Sequence, residues 1–305
     1  MARRVRGRPV HGWLILDKPA GPTSTAAVTL VRRALDARKA GHAGTLDPAA
    51  TGLLAVALGE ATKTVPHAGD GQKTYRFTVR WGAATTSDDA EGAVIATSEA
   101  RPTPEAITAA LPAFRGDILQ VPPQVSAVKV EGARAYDLAR AGEVMDLAAR
   151  QLHVARLELV EVPGPDTAVL EMECGKGGYV RSIARDLGAA LGCLGHVQSL
   201  RRLAAGPFAL GAAVPWEAVA AGDREALTAA LLPLEAGLAG LPEVRVPDES
   251  LARILNGNPG EGVATTRLDW GDAVWASHAG RPLALGSWRG GQVQPARVFV
   301  LDDEG

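Results

Sequence analysis

Gly41-His42-Ala43-Gly44-Thr45-Leu46-Asp47-Pro48-Ala49-Ala50-Thr51-Gly52-Leu53-Leu54-Ala55-Val56-Ala57-Leu58 sets one carboxylate, Asp47, in a run of small residues that ends in an unbroken apolar segment. Residues 53–58 are apolar without alternation, the pattern of a central strand covered on both faces. Pro48 has no N–H and a fixed φ, so no strand or helix passes undisturbed through Asp47-Pro48. The glycines let the backbone approach a bulky partner. A carboxylate on such a loop suits nucleophilic or acid–base work. Asp-Pro is also an ordinary turn opener, and the loop alone leaves both readings standing.

Upstream, Trp13-Leu14-Ile15-Leu16 reads as a buried strand. Thr23 or Ser24 caps a helix whose Ala27, Val28, Leu30, Val31, Ala34 and Leu35 recur at helical spacing. Downstream, 74–81 alternates as a strand does, and Ser87-Asp88-Asp89-Ala90-Glu91-Gly92 is an acidic turn. A short helix is expected over 103–113, with Pro104 in its first turn, and another over 134–140. Residues 153–160 and 168–174 alternate as strands. Val180, Ile183, Ala184, Leu187 and Leu191 give 179–191 a helical period, with Arg181 and Arg185 projecting together at i, i+4. Residues 215–234 read as mostly helical, and from Pro242 short strand-like runs alternate with Gly and Pro. Two domains follow, 1–240 and 241–305. Strands and helices mix without a βαβα rhythm, which predicts an α+β fold around a mixed, largely antiparallel sheet with a small C-terminal β-rich domain.

The chain has 305 residues, 47% hydrophobic and 22% charged, and a net charge of −2. These are the proportions of an ordinary globular protein. Charge, Gly or Pro interrupts every apolar run before membrane-spanning length, and the basic start lacks the apolar stretch of a secretory signal, so a cytoplasmic protein is expected. Cys174 and Cys193 lack metal-ligand spacing and are expected to stay reduced. Gly175-Lys176-Gly177-Gly178 lacks the spacing of a phosphate-binding P-loop. Charge is unevenly spread: residues 1–42 carry nine Lys/Arg against two acids, an excess of seven, whereas 241–305 carry six Arg against nine acids. The N-terminal part is therefore the candidate phosphate-facing surface. A solvated basic tip is the plainer reading of Arg3, Arg4, Arg6 and Arg8.

Five segments stand in order along the chain: Asp17-Lys18-Pro19-Ala20-Gly21-Pro22-Thr23-Ser24, the Asp47 loop, Lys73-Thr74-Tyr75-Arg76-Phe77, Val121-Pro122-Pro123-Gln124-Val125-Ser126-Ala127-Val128-Lys129, and Gly177-Gly178-Tyr179-Val180-Arg181-Ser182-Ile183-Ala184-Arg185-Asp186-Leu187-Gly188. Together they resemble the motifs of the bacterial TruB-type tRNA pseudouridine synthases. Val125 departs from the family, standing where an aromatic residue is usual, and Gly177-Gly178 is a looser approach to Tyr179 than the family pattern.

The resemblance implies an isomerase that converts uridine 55 in the T-loop of tRNA to pseudouridine, with no cofactor and no metal. It gives Asp47 the catalytic role, as a nucleophile at carbon or as a base toward a ribose proton. Arg181 matches the arginine that pairs with that aspartate, and Tyr75 the tyrosine that stacks on the flipped base. Tyr179 matches a position lining the base pocket, and His42 one that engages RNA around the extruded base. Lys18 braces the loop or contacts phosphate. Lys129, Arg201 and Arg202 are phosphate contacts or solvated cations. Residues 241–305 resemble the RNA-binding PUA module in position and size. The expected partner is the tRNA T-arm stem-loop, with no membrane, no obligate protein partner and a monomeric state. Little precedes Trp13 and the chain ends after this module, so a stand-alone enzyme is expected rather than a guide-RNA-dependent relative. A non-catalytic tRNA-folding protein would not need Asp47, Tyr75 and Arg181 together, and a glycoside hydrolase would need a second carboxylate.

Overall fold

The computed structural model describes residues 7–126 and 145–301, together with the backbone of 129–130 and 133–134. Residues 135–140 of the helix expected over 134–140 lie outside the described residues, as do Arg3, Arg4 and Arg6. The chain forms two compact units, one of residues 1–47, 53–71 and 205–305, the other of 48–52 and 72–204.

In the first unit, strand β1 (Gly12–Lys18) is buried almost throughout, as its apolar run requires. Helix α1 (Ser24–Ala34) starts where Thr23 caps it, Thr23 accepting a hydrogen bond from the Ala26 N–H at 3.1 Å. Strand β2 (Ala40–His42) pairs antiparallel with β3 (Thr51–Leu58), His42 opposite Val56. Every β3 residue after Thr51 is buried, which is why the run shows no alternation. Leu14, Leu16, Leu54, Val56 and Leu58 pack with Ala27 and Val31 of α1 on one side of these strands. Trp13, Ile15, Leu53 and Ala55 face a second cluster with Phe208 and Leu238.

The second unit is built on a sheet in the order β8-β4-β7-β6-β5, where β4 is Lys73–Trp81, β5 Gly116–Gln120, β6 Arg150–Gly164, β7 Thr167–Cys174 and β8 Gly195–Ala205. β4–β7, β6–β7 and β5–β6 are antiparallel, while Thr51 and Gly52 at the start of β3 run parallel to Arg201 and Arg202 of β8. The mixed, largely antiparallel sheet agrees with the sequence-based expectation. Helix α2 (Val180–Ala190) packs Val180, Ile183, Ala184 and Leu187 against Phe77, Val79 and Trp81 of β4. The helix expected over 103–113 is an α-helix over Pro104–Ala110 that tightens into a 3₁₀ turn at Leu111–Phe114, where Pro112 supplies no N–H to continue the α-helix.

The outward face of the β4, β7 and β6 ladder carries an ion-pair group. Glu171 on β7 takes Arg76 at 2.8 Å and Arg156 at 2.5 Å. The hydrogen bonds from Arg156 and then Arg76 hold the Glu171 carboxyl below its ordinary value of 4.5. A lowered folded pKa favours the ionised form in the fold, so this stabilisation is present above the unfolded value and is lost as pH falls through the folded one. Wild type is therefore expected to lose its melting-temperature advantage over Glu171→Gln as pH drops below about 4.5. An advantage that holds constant across a pH 3 to 7 melting series would contradict this.

The expected helical stretch 215–234 is broken. Trp216–Ala221 ends at Gly222, whose φ of +68° closes a left-handed C-cap, and Arg224–Ala229 restarts after Asp223, which accepts from the Ala226 N–H at 3.1 Å. Gly222-Asp223 is a stop signal followed by a start signal, and the two outweigh the helical composition around them. The C-terminal β-rich domain is present as a six-stranded sheet within residues 243–298, with the helix Asp248–Leu255 against it and a core of Val244, Ile254, Val274, Ala276 and Val293. Among the described residues, no helix is long and apolar enough to cross a membrane.

Candidate functional site

Lys18, His42 and Asp47 belong to the first unit, and Tyr75, Tyr179, Arg181, Arg201 and Arg202 to the second. Lys129 opposes Arg134 in a two-stranded ribbon, and its side chain lies outside the described residues.

The segment leading to Asp47 is fixed by the motif at 17–24. The Ser24 hydroxyl donates to the Leu46 carbonyl at 2.9 Å and accepts from the Leu46 N–H at 2.9 Å, so one side chain satisfies both backbone groups of the residue before Asp47. Ser24 and Leu46 are buried, which strengthens this clamp relative to a solvated one. Lys18 is fully buried and donates to the carbonyls of Pro19 and Pro22 at 2.8 and 3.0 Å, tying down the turn that delivers Ser24. The Ala43 N–H donates to the Ala55 carbonyl at 3.0 Å, closing the base of the loop on β3. Asp47 itself is half-buried at the loop's crest. Gly52 has φ +96°, and a Cβ there would stand 2.3 Å from the Arg202 carbonyl oxygen, so only glycine permits this approach of β3 to β8.

Tyr75 lies on the inward side of β4, opposite Met172, and is 8% exposed within the core cluster. Tyr179 is the N-cap of α2 and half-buried. Its backbone is gripped by Gln120 at the end of β5: the Tyr179 N–H donates to Gln120 Oε1 at 2.9 Å, and Gln120 Nε2 donates to the Tyr179 carbonyl at 3.0 Å. Gln120 was not singled out from the sequence. Its sole cue there is its place directly before Val121-Pro122-Pro123.

Arg181, in the first turn of α2, is buried and donates through Nη1 to the Ser87 carbonyl at 3.2 Å and to Asp89 Oδ2 at 3.4 Å. One turn later, Arg185 meets Asp88 Oδ2 at 2.9 Å. The acidic turn is thus the counter-ion of the helix rather than a solvated loop. The paired aspartates and the i, i+4 arginines were visible separately in the sequence; nothing in their spacing joins them. Burial lifts the Asp88 carboxyl above its ordinary range, a push that the adjacent Arg185 only partly offsets.

Arg202 is 1% exposed in β8, so it is neither a solvated cation nor an open phosphate contact in this structure. Arg201 is half-buried, with Nη1 3.5 Å from Thr51 Oγ1. Cys174 and Cys193 are unbridged and buried, and burial pushes the Cys174 thiol up to about 11. No group of three or more His, Cys, Asp or Glu side chains that could hold a metal occurs among the described residues. A groove of about 500 Å³ lined by Leu238, Pro242, Glu243 and Trp275, among others, contains none of the residues named from the sequence.

The motifs and this architecture agree with the comparisons to known proteins. Residues 32–180 match the N-terminal domain of the TruB family of pseudouridylate synthases, and 181–239 match the tRNA pseudouridylate synthase B C-terminal domain. A protein of Paracoccus denitrificans named tRNA pseudouridine synthase B is 60% identical over 301 residues, 99% of this chain and 100% of that one. One of the same name from Dinoroseobacter shibae is 58% identical, covering 98% of each. Among solved structures, a chain of a Cbf5-Nop10-Gar1 complex superposes with a TM-score of 0.75 at 27% identity, covering 95% of this chain and 85% of that one. With family models matching residues 32–239 and 60% identity to a relative over 99% of its length, the chain belongs to the TruB family of pseudouridylate synthases.

Proposed function

We propose that this protein converts uridine 55 in the T-loop of tRNA to pseudouridine. The observation that carries the reading is the 60% identity, over 99% of the chain, to a protein named tRNA pseudouridine synthase B. The chemistry is an isomerisation: the C1′–N1 bond breaks, the uracil turns, C1′ bonds to C5, and the proton lost from C5 is balanced by one gained at N1. Nothing is oxidised or reduced. A base inside a folded RNA must leave its stack before a side chain can reach it. In this reading Asp47 acts at the ribose, as nucleophile or base, and Arg181 takes the role of the arginine that the motif resemblance pairs with it. Tyr75 and Tyr179 line the pocket of the flipped uracil, and His42 engages the RNA beside it. The domain division at residue 240, with 241–305 as a PUA-like RNA-binding module, belongs to the same proposal, as do a T-arm substrate and a monomeric, cytoplasmic enzyme.

Incubating the purified protein with unmodified tRNA and mapping pseudouridine tests the reading. Modification at position 55 is expected. Modification only elsewhere would move the target, and none at all would refute the activity.

Tyr75 is the residue for which core packing and base stacking compete most directly, because it is 8% exposed. Tyr75→Phe keeps the ring and loses the hydroxyl; Tyr75→Leu loses both. If the ring stacks on uracil, Leu weakens RNA binding by roughly 1–3 kcal/mol and Phe does not. If the hydroxyl moves a proton, Phe binds normally and turns over slowly. Wild-type binding and turnover in both variants would leave Tyr75 as core alone.

A further inference from the structure

Helix α2 presents Arg181 and Arg185 on one side, and each meets a different carboxylate of the turn at 85–92. The two carboxylates belong to adjacent residues. In extended backbone, adjacent side chains point to opposite faces, so Asp88 and Asp89 could not both reach one helix. Asp88 removes the conflict by taking φ +60°, a left-handed conformation that aspartate tolerates better than most residues. The turn is held there from several sides. Ser87 Oγ donates to Asp89 Oδ1 at 2.5 Å, the Glu91 N–H donates to the same oxygen at 3.0 Å, Thr85 Oγ1 donates to the Asp89 carbonyl at 2.7 Å, and the Val197 N–H donates to the Asp88 carbonyl at 3.0 Å.

Arg185 is the hub of this arrangement. Its Nη1 donates to Asp88 Oδ2 at 2.9 Å, its Nε to Asp186 Oδ1 at 2.8 Å, and its Nη2 to the Val121 carbonyl at 2.9 Å. Ser182 Oγ donates to that same carbonyl at 2.8 Å. One guanidinium therefore ties α2 to the acidic turn and to the Val121-Pro122-Pro123 segment. We propose that Asp88 and Arg185 are a positioning pair, whose ion pair holds the turn in the register that presents Asp89 and the Ser87 carbonyl to Arg181. Neither touches the reacting atoms. They act through Arg181, and the inference rests on the reading of Arg181 as part of the pseudouridylation site.

The test is steady-state turnover on a T-arm stem-loop, with melting recorded for every variant. Asp88→Gly keeps the left-handed backbone accessible and deletes the carboxylate. It is expected to lower kcat on the order of tenfold with KM within about twofold, because misplacement of a positioned group is read in the chemical step. In an Asp89→Asn background the same change is expected to cost clearly less than in wild type, since the Asp89 arm is already cut and only the Ser87 carbonyl is left to be misplaced. Arg185→Lys, which keeps the charge and loses the fork, gives a smaller kcat loss with the same dependence on Asp89 and serves if Asp88→Gly melts early. Wild-type kcat in a well-folded Asp88→Gly, or an equal loss with and without Asp89, would overturn the pairing. Failure of the wild-type arm to make pseudouridine would instead refute the functional reading, and the pairing with it.

Discussion

Asp47→Asn is expected to bind tRNA as wild type does and to form no pseudouridine. The amide has the carboxylate's shape, and the clamp before it acts on the Leu46 backbone through Ser24, so the loop keeps its course. What disappears is the negative charge and its basicity, and with them both routes open to this residue, attack at carbon and removal of a ribose proton. Deleting the one group that makes or accepts the bond in a covalent or general-base mechanism costs on the order of 10⁴-fold or more. Tritium released from C5-labelled uridine in tRNA measures it, alongside filter binding and a melting curve. Turnover within about tenfold of wild type, a barrier change of only about 1.4 kcal/mol, would remove Asp47 from the chemistry.

Local signals located much of this fold because they have local causes. Thr23 caps α1 where a hydroxyl precedes an apolar period, and β3 is a bare apolar run because both of its faces are covered. β8 (Gly195–Ala205) escaped notice for the opposite reason. Its burial does not alternate, it carries Arg201 and Arg202, and its neighbours β3 and β4 are more than 100 residues away in sequence. Pairing, not side-chain pattern, makes it a strand. Arg202 in that strand reads as a surface cation from the sequence and is buried. Motif resemblance nominates Lys18, Asp47, Tyr75, Tyr179 and Arg181 one by one, while the contacts around them are silent in the sequence. Gln120 holds Tyr179 through backbone groups, which any residue at 179 would offer. Asp89 meets Arg181 across 92 residues. A supporting contact of that kind leaves no mark at either position alone.

Arg181 is where stability and activity should fail together. Its guanidinium is buried, with 8% of the side chain exposed against 16% for Asp89, so the pair is shielded from water and from salt. Arg181→Gln leaves Asp89 with the Ser87 hydroxyl and the Glu91 N–H but without this cation. Breaking one side of a buried pair costs about 3–5 kcal/mol when nothing else compensates; those two donors place the expected loss nearer about 2 kcal/mol. Arg181→Lys keeps the charge and loses the second and third nitrogens, so it should recover most of the stability but little of the activity. Turnover in Arg181→Gln is expected to fall on the order of 10²- to 10³-fold, the scale for deleting a preorganised charge at a reacting centre. Urea unfolding and single-turnover kinetics on the same preparations separate the two effects. A Gln variant that unfolds with wild type would show that the Asp89 pair is not holding the turn. A Lys variant with full turnover would show that only the charge at 181 matters, and that the two-point grip on Ser87 and Asp89 does not set its direction.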